Sequence, residues 1–177
     1  MELKTLNEIE IISAPHSKIS EVDFENLTFG NVFTDHMLVC DYANGAWQKP
    51  VIEPYAPFMI DPSAKVFHYG QAIFEGMKAY KDEQDDVWLF RPDENYHRFN
   101  KSATRMAMPE VPEDVFLGGL HRLLEIEKEW VKKGKGNTLY IRPFMIATGH
   151  GVIAAPSQEY RFMIILSPAR AYYSGEV

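Results

Sequence analysis

An Asn-Gly dipeptide at positions 44 and 45 lies between two runs of residues that favour β-strands. Both central residues of a type I′ turn need positive φ angles, and Asn-Gly adopts them at the least steric cost. The dipeptide therefore predicts a tight hairpin, with one strand over 32–42 and the returning strand over 47–52. Strands joined in this way build an antiparallel sheet, which needs a second layer on at least one face.

The alternation of strand patterns and turn residues continues after this hairpin. An acidic turn at 82–86 separates strand patterns at 78–80 and 87–90 and predicts a second hairpin. Between the two hairpins the chain is rich in proline, so we expect a loop with at most a short strand at 58–60. A short helix is expected over 71–77, after Gly70.

Two longer helices and two longer strands complete the predicted secondary structure. Helices are predicted over 92–106, where Pro92 opens the first turn, and over 112–133, which is expected to be the longest. Strands are predicted over 138–147 and 161–166, joined by the loop 149–157. These elements predict an α+β fold of two layers, a largely antiparallel sheet with two main helices on one face.

The chain of 177 residues has room for one domain with a sizeable core. Residues 1–28 are polar and weakly periodic and are expected to form an extended lead-in. Residues 29–170 are expected to form a small N-terminal domain. The last residues leave a strand and reach a loop, so 171–177 are expected to begin a linker to a larger domain.

Composition excludes several classes of function. The formal net charge of −7 argues against a nucleic-acid partner, because binding the phosphate backbone needs a basic face. No apolar run approaches the roughly 18 residues that span a bilayer, and no signal peptide is recognisable, so we expect no membrane partner and a cytoplasmic location. The lone Cys40 lies in an apolar run and is expected to be a buried thiol. Neither His nor Cys pairs stand at metal-ligand spacing, so no metal site is predicted.

Three side chains are candidates for chemistry from their positions alone. Arg98 lies in the second turn of the predicted 92–106 helix, where a guanidinium can face an anion. Spacing alone nevertheless favours an ordinary surface arginine there. Tyr140 and Arg142 alternate along an otherwise apolar strand, which places a hydroxyl and a cation on the same face.

Five sequence motifs run in order along most of the chain. They are FGNVFTDHML at 29–38, FHYGQAIFEGMKA at 67–79, LFRP at 89–92 followed by HRF at 97–99, LYIRP at 139–143, and LSP at 166–168. Together they closely resemble the signature of the branched-chain amino acid aminotransferases, which are fold-type IV pyridoxal 5′-phosphate enzymes. The resemblance extends from residue 29 to the end of the chain.

The resemblance implies roles for eight residues. Arg98 would bind the cofactor phosphate, for which a bidentate guanidinium is suited. The other seven would bind or surround the substrate, and they are Phe29, Tyr69, Tyr140, Arg142, Val152, Ala154 and Tyr172. The three aromatic residues up to position 140 would form the apolar wall, while Arg142 and the tyrosine hydroxyls would position the carboxylate end. Val152 and Ala154 would reach the partner subunit's pocket, and Tyr172 would lie at the interdomain connection.

The resemblance also implies a reaction and an assembly. L-leucine, L-isoleucine or L-valine would react with 2-oxoglutarate to give a branched 2-oxo acid and L-glutamate, and the enzyme would be a homodimer. The family's Schiff-base lysine has a characteristic sequence around it, which is not found around Lys65, Lys78 or Lys101. That lysine is therefore expected beyond Val177, so this segment would hold no catalytic residue, would bind the cofactor weakly or not at all, and would be inactive alone.

Two other functions stay open at this point. D-amino acid aminotransferases and aminodeoxychorismate lyase share the fold, but usually have Tyr-Gly-Asp-Gly-Phe-Glu where this chain has YGQAIFE at 69–75. A non-catalytic interaction domain is the other alternative. If the face that normally meets a larger domain and a partner subunit is exposed and apolar, the segment is expected to self-associate.

Overall fold

The computed structural model describes residues 9–170. The strands are β1 Glu10–Ile11, β2 His36–Ala43, β3 Ala46–Trp47, β4 Val51–Pro54, β5 Ala72–Phe74, β6 Met77–Lys81, β7 Val87–Leu89, β8 Thr138–Ala147 and β9 Tyr160–Ala169. The α-helices are α1 Lys65–Tyr69, α2 Pro92–Arg105 and α3 Gly119–Ile126. All these strands join one sheet, in the order β1-β4-β2-β9-β8-β6-β7, while β3 pairs with β2 and β5 with β8. Only β1 and β4 run parallel among the described strands, so the sheet is largely antiparallel, as predicted.

Two helices cover one face of this sheet and enclose the main core. Phe99 of α2 and Leu120 of α3 are fully buried against Ile141 of β8 and Phe162 of β9. Side chains alternate along each strand, so the other face carries a smaller apolar cluster. Its buried members are Met37, Val39 and Met163, and its half-buried members are Tyr55, Phe144 and Ile165. The two-layer α+β prediction is confirmed, with α2 and α3 on one face of the sheet.

The first hairpin forms at the predicted dipeptide. Asn44 and Gly45 have φ angles of 56° and 78°, as a type I′ turn requires. The strand before the turn begins at His36 rather than at residue 32, because Asp35 is buried and its backbone N–H faces Glu127 instead of a neighbouring strand. The second hairpin, between β6 and β7, is confirmed as well.

The prediction of a helix over 71–77 is wrong. Gly70 has a φ of 62° and its N–H donates to the carbonyl of Val66, so it ends α1 rather than beginning a helix. Glycine favours this left-handed position just after a helix because it has no Cβ. The residues that follow form β5, which pairs with β8. The proline-rich stretch around 58–60 forms a loop without a strand, within the range of the prediction.

The helix predicted over 112–133 is shorter and less regular than expected. A π-helical turn, Asp114–Gly118, leads into α3, which ends at Ile126, and a 3-10 turn, Lys128–Trp130, follows. The regular helix stops there because Glu127 turns inward, where its carboxylate contacts His36. The longest helix within 9–170 is therefore α2, with 14 residues.

The expected domain boundaries stay predictions. The described part of the lead-in, residues 9–28, contains β1 and the 3-10 turn Ile19–Glu21. The expected linker, residues 171–177, lies outside the described residues. In the part of the chain that is described, no helix is long and apolar enough to cross a membrane. Nor do three or more His, Cys, Asp or Glu side chains within 9–170 cluster as metal ligands would.

Candidate functional site

Strand β8 presents a tyrosine and an arginine on the face of the sheet that the helices leave open. Leu139 and Ile141 are buried toward the helices, so Tyr140 and Arg142 point the other way. Arg142 donates to the Tyr140 hydroxyl from Nε at 3.0 Å and from Nη2 at 2.7 Å. The predicted shared face is confirmed, and the hydroxyl holds the guanidinium in one orientation.

Two phenylalanines extend this pair into a mixed apolar and cationic surface. The edge of Phe29 meets Tyr140 with ring centroids 5.0 Å apart, and the Arg142 Cζ atom lies 4.3 Å from the centre of the Phe74 ring. Phe29 and Phe74 are both exposed. A cation, a phenol and two rings at one place can bind a small molecule that carries a carboxylate beside an apolar chain.

Gly76 makes room for the Tyr140 hydroxyl. A Cβ atom built on Gly76 would lie 2.6 Å from Tyr140 Oη and 3.3 Å from the nearest ring carbons. Real side chains do not approach this closely, so any larger residue would displace the tyrosine. Gly76 therefore allows the Tyr140 hydroxyl to keep this position.

Arg98 forms a two-pronged ion pair with Glu75. Its Nε and Nη2 atoms each donate at 2.6 Å to one carboxylate oxygen, and Asn95 Nδ2 donates at 2.9 Å to the same side chain. Burial alone would raise the pKa of Glu75, but the bonds from Arg98 and Asn95 outweigh it, and the pKa lies below its usual value. The same pairing raises the pKa of Arg98. Both groups are therefore charged at neutral pH.

The segment 74–76 contacts both the Tyr140–Arg142 pair and Arg98. Phe74 lies against Arg142, Glu75 binds Arg98, and Gly76 contacts Tyr140. The Arg98 side chain is 66% exposed although Glu75 is only 6% exposed, so the outer edge of the guanidinium faces solvent. An exposed guanidinium held in one orientation by a buried carboxylate fits a phosphate group.

The remaining candidates lie at the other end of β5. The Tyr69 hydroxyl donates a hydrogen bond to the carbonyl of Val152, which belongs to the loop between β8 and β9. Val152 and Ala154 are exposed on this loop. The structure thus joins Tyr69 to Val152 and, separately, Phe29 to Tyr140 and Arg142. Tyr172 lies outside the described residues.

Sequence reasoning misses the contacts made by Phe74, Glu75 and Gly76. All three stand inside the motif at 67–79, where the sequence pattern predicts a helix. A helix would scatter these side chains around an axis, whereas the extended chain points Phe74 and Gly76 outward and Glu75 inward. The signal that could have found them is the family motif itself, which contains all three residues.

The fold is similar to that of solved branched-chain aminotransferases. A branched-chain aminotransferase from Thermoproteus uzoniensis matches with a TM-score of 0.56 at 16% sequence identity, covering 75% of this chain and 41% of that one. The branched-chain amino acid aminotransferase of Escherichia coli matches with a TM-score of 0.51 at 19% identity, covering 74% of this chain and 39% of that one. At these identities the likeness shows the fold alone, and it confirms the α+β fold of the fold-type IV enzymes.

Sequence comparisons are closer. Branched-chain-amino-acid transaminase 1 of Bacillus subtilis is 52% identical over 155 residues, which are 87% of this chain and 44% of that protein. The branched-chain-amino-acid aminotransferase of Mycolicibacterium smegmatis is 44% identical over 161 residues, 90% of this chain and 44% of that protein. No protein-family model matches the chain. The chain spans less than half the length of these curated relatives, and by sequence it is similar to the N-terminal portion of branched-chain-amino-acid aminotransferases.

Proposed function

We propose that this chain is the substrate-facing portion of a pyridoxal-phosphate-dependent aminotransferase acting on branched-chain amino acids. The reaction would convert L-leucine, L-isoleucine or L-valine and 2-oxoglutarate into a branched 2-oxo acid and L-glutamate. The observation that carries the proposal is the Tyr140–Arg142 pair between the exposed rings of Phe29 and Phe74. A cation and a phenol would bind the carboxylate, and the rings would cover an aliphatic side chain.

Each residue around this pair has a distinct task in the proposed function. Arg142, oriented by Tyr140, would bind the carboxylate end of the amino acid. Phe29 and Tyr140 would supply apolar area at a small entropic cost, because their rings have few rotatable bonds. Tyr69, whose hydroxyl donates to the Val152 carbonyl, would line a pocket wall beside the loop that contains Val152. Val152, together with Ala154, would reach into the partner subunit's pocket.

The cofactor phosphate would be held by Arg98. Its outer guanidinium edge faces solvent, while Glu75 fixes the inner edge through two 2.6 Å hydrogen bonds. When bound, pyridoxal 5′-phosphate supplies an electron sink that makes the amino-acid Cα proton removable. Arg98 would orient the phosphate and neutralise part of its charge, and Glu75 would keep Arg98 in place.

We expect the lysine that reacts with the cofactor aldehyde to lie outside these 177 residues. Lys65 is buried and donates to two backbone carbonyls, so its ammonium group is already engaged. Lys78 and Lys101 are exposed, and neither stands in the sequence context of the family's reactive lysine. The chain by itself would therefore not transaminate, and its own affinity for the cofactor would be low.

Borohydride reduction of the purified chain with pyridoxal 5′-phosphate, followed by intact mass and peptide mapping, tests this division of roles. We expect substoichiometric label scattered over several lysines. One stoichiometric adduct on a single lysine would mean that the segment contains its own reactive residue. That result would overturn the proposal that the segment is inactive alone.

The substrate class is tested by joining this chain to the C-terminal portion of the Bacillus subtilis relative. We expect the fused protein to transfer the amino group of L-leucine to 2-oxoglutarate, and the Arg142→Ala version to lose most of that activity. A fused protein that binds the cofactor but prefers D-alanine would instead indicate a D-amino acid aminotransferase. One that cleaves 4-amino-4-deoxychorismate would indicate a lyase.

We also propose a homodimer in the cytoplasm. On the sheet face opposite α2 and α3, Met37, Val39 and Met163 are already buried within the chain, whereas Phe29 and Phe74 are exposed. Covering this face with a second copy would remove apolar surface from water. The single cysteine is compatible with a reducing compartment. Sedimentation at several concentrations tests the assembly, and a monomer at high concentration would contradict it.

A further inference from the structure

Lys65 is a buried cation to which the proposed function assigns no task. It is the first residue of α1 and is 6% exposed. Its Nζ donates to the carbonyl of Ile153 at 3.1 Å and to the carbonyl of Ala155 at 2.7 Å. Within residues 9–170, no carboxylate lies at ion-pair distance from it. Two loop carbonyls thus replace the water that a lysine ammonium normally keeps.

The contacts of α1 with this loop extend beyond the ammonium group. The Lys65 N–H donates to the carbonyl of Gly149 at 3.1 Å, and the Gly151 N–H donates to Ser63 Oγ at 3.0 Å. The Tyr69 hydroxyl donates to the carbonyl of Val152. From residue 149 to residue 155, the backbone is therefore held on its α1 side by polar groups. The side chain of Val152 is left 67% exposed.

The Lys65 ammonium group holds the loop through the carbonyls of Ile153 and Ala155, and the loop in turn covers Lys65. If Ile153 and Ala155 moved away, the ammonium group would exchange two charge-assisted hydrogen bonds for water, and the lysine stem would lose its cover. Neutral hydrogen bonds, such as the one that Ser63 accepts, impose a weaker penalty when broken. Lys65 is thus the strongest polar restraint between α1 and the loop.

We propose that Lys65 is a positioning residue, which fixes the loop 149–157 so that Val152 and Ala154 meet the substrate side chain in the partner subunit's pocket. The proposal rests on the proposed function for the task of Val152 and Ala154. The restraint on the loop rests only on the contacts of Lys65. A lysine used in this way needs no reactivity, which agrees with an ammonium group that is buried against carbonyls.

Hydrogen exchange on the 177-residue chain tests the restraint without any catalytic readout. The Gly151 and Ala155 amides, which donate to Ser63 and Ile153, report on the loop. Lys65→Met should raise their exchange rates by about tenfold or more, while amides of β8 and β9 exchange as in the parent. Lys65→Arg keeps the charge and the donors, so it should restore much of the protection.

Lys101→Met is the matched control, because Lys101 is exposed on α2 and far along the chain from the loop. It should leave every loop amide unchanged. Equal protection of the loop in Lys65→Met and in the parent would overturn the proposal, as would Lys65→Met and Lys65→Arg variants with the same loss. If Lys65→Met does not fold, Lys65→Gln provides the same comparison. A stoichiometric lysine adduct after borohydride reduction would count against the proposed function and leave this restraint intact.

Discussion

Glu75 accepts two hydrogen bonds from Arg98 at 2.6 Å, yet the two partners lie in different surroundings. The carboxylate is 6% exposed and the guanidinium is 66% exposed. Removing the arginine would leave a buried charge with Asn95 as its remaining side-chain donor, whereas removing the carboxylate would release the arginine into water. Loss of Arg98 should therefore destabilise the fold more than loss of the Glu75 charge.

Arg98→Ala should consequently lower the Tm at pH 7 more than Glu75→Gln does. The paired Glu75 has a pKa below its usual value, so its contribution is present above the unfolded pKa of about 4.3 and is lost as the pH falls through the folded value. The Tm difference between parent and Arg98→Ala should therefore shrink as the pH falls below about 4. Thermal unfolding between about pH 3 and pH 8 measures it. Arg122→Ala, which removes an exposed i,i+3 pair, is the control and should change the Tm little at any pH.

Gly76 and Tyr140 provide a test of the site's packing. Gly76→Ala would place a Cβ atom 2.6 Å from the Tyr140 hydroxyl, so we expect a loss of about 1–3 kcal/mol from overpacking. Tyr140→Phe removes the nearest clashing atom. The double variant should therefore be less destabilised than the sum of the two single variants, by denaturant unfolding. Additive effects would mean that the tyrosine has another way to move aside.

The parts of the fold that can be predicted from sequence are those with a local cause. The Asn44-Gly45 turn, the start of α2 at Pro92 and the alternation along β8 all follow from φ angles or from side-chain period. The prediction for residues 71–77 fails because a short apolar run fits a helix as well as a strand. Their conformation is decided by pairing with β8, some 70 positions later in the chain. No local pattern identifies that pairing partner.

The residues of the candidate site also differ in whether the sequence can identify them. Arg98, Tyr140 and Arg142 follow from their positions on a helix and a strand together with the family motifs. The roles of Glu75 and Lys65 do not, because charged residues are rarely buried and a sequence does not show which of them are. Their partners lie 23 and 88 or more positions away along the chain. Tertiary packing alone brings these groups together.

Cys40 should be unreactive in the folded protein. Its side chain is buried and its Sγ donates to the carbonyl of Gln48, and burial raises the pKa of the thiol to about 12. At pH 8 the thiolate fraction falls about a thousandfold relative to an exposed cysteine, which leaves little of the reactive form. A thiol reagent followed by absorbance should label the native chain very slowly and the denatured chain fully. Fast stoichiometric labelling under native conditions would show that the interior opens to solvent.

Asp35 links residues 17–18, which precede β2, to Trp130, which follows α3. Its carboxylate accepts hydrogen bonds from Ser17 Oγ at 2.5 Å, from the Lys18 N–H at 2.8 Å and from Trp130 Nε1 at 3.1 Å. Burial alone would raise the pKa of Asp35, but these donors outweigh it and the pKa is lowered. All three donors favour the charged carboxylate, which an amide of the same shape cannot replace.

Asp35→Asn should therefore destabilise the protein by about 1–3 kcal/mol at pH 7, because the new amide N–H group would face donors. The folded pKa of the aspartate is depressed, so its contribution is present above the unfolded value of about 3.9 and disappears as the pH falls through the folded value. The difference between parent and variant should shrink over that acidic range, as measured by urea unfolding with tryptophan fluorescence. Asp86→Asn, at an exposed turn, should stay within about 0.5 kcal/mol of the parent. A constant difference between about pH 3 and pH 7 would mean that Asp35 acts through its shape rather than through its charge.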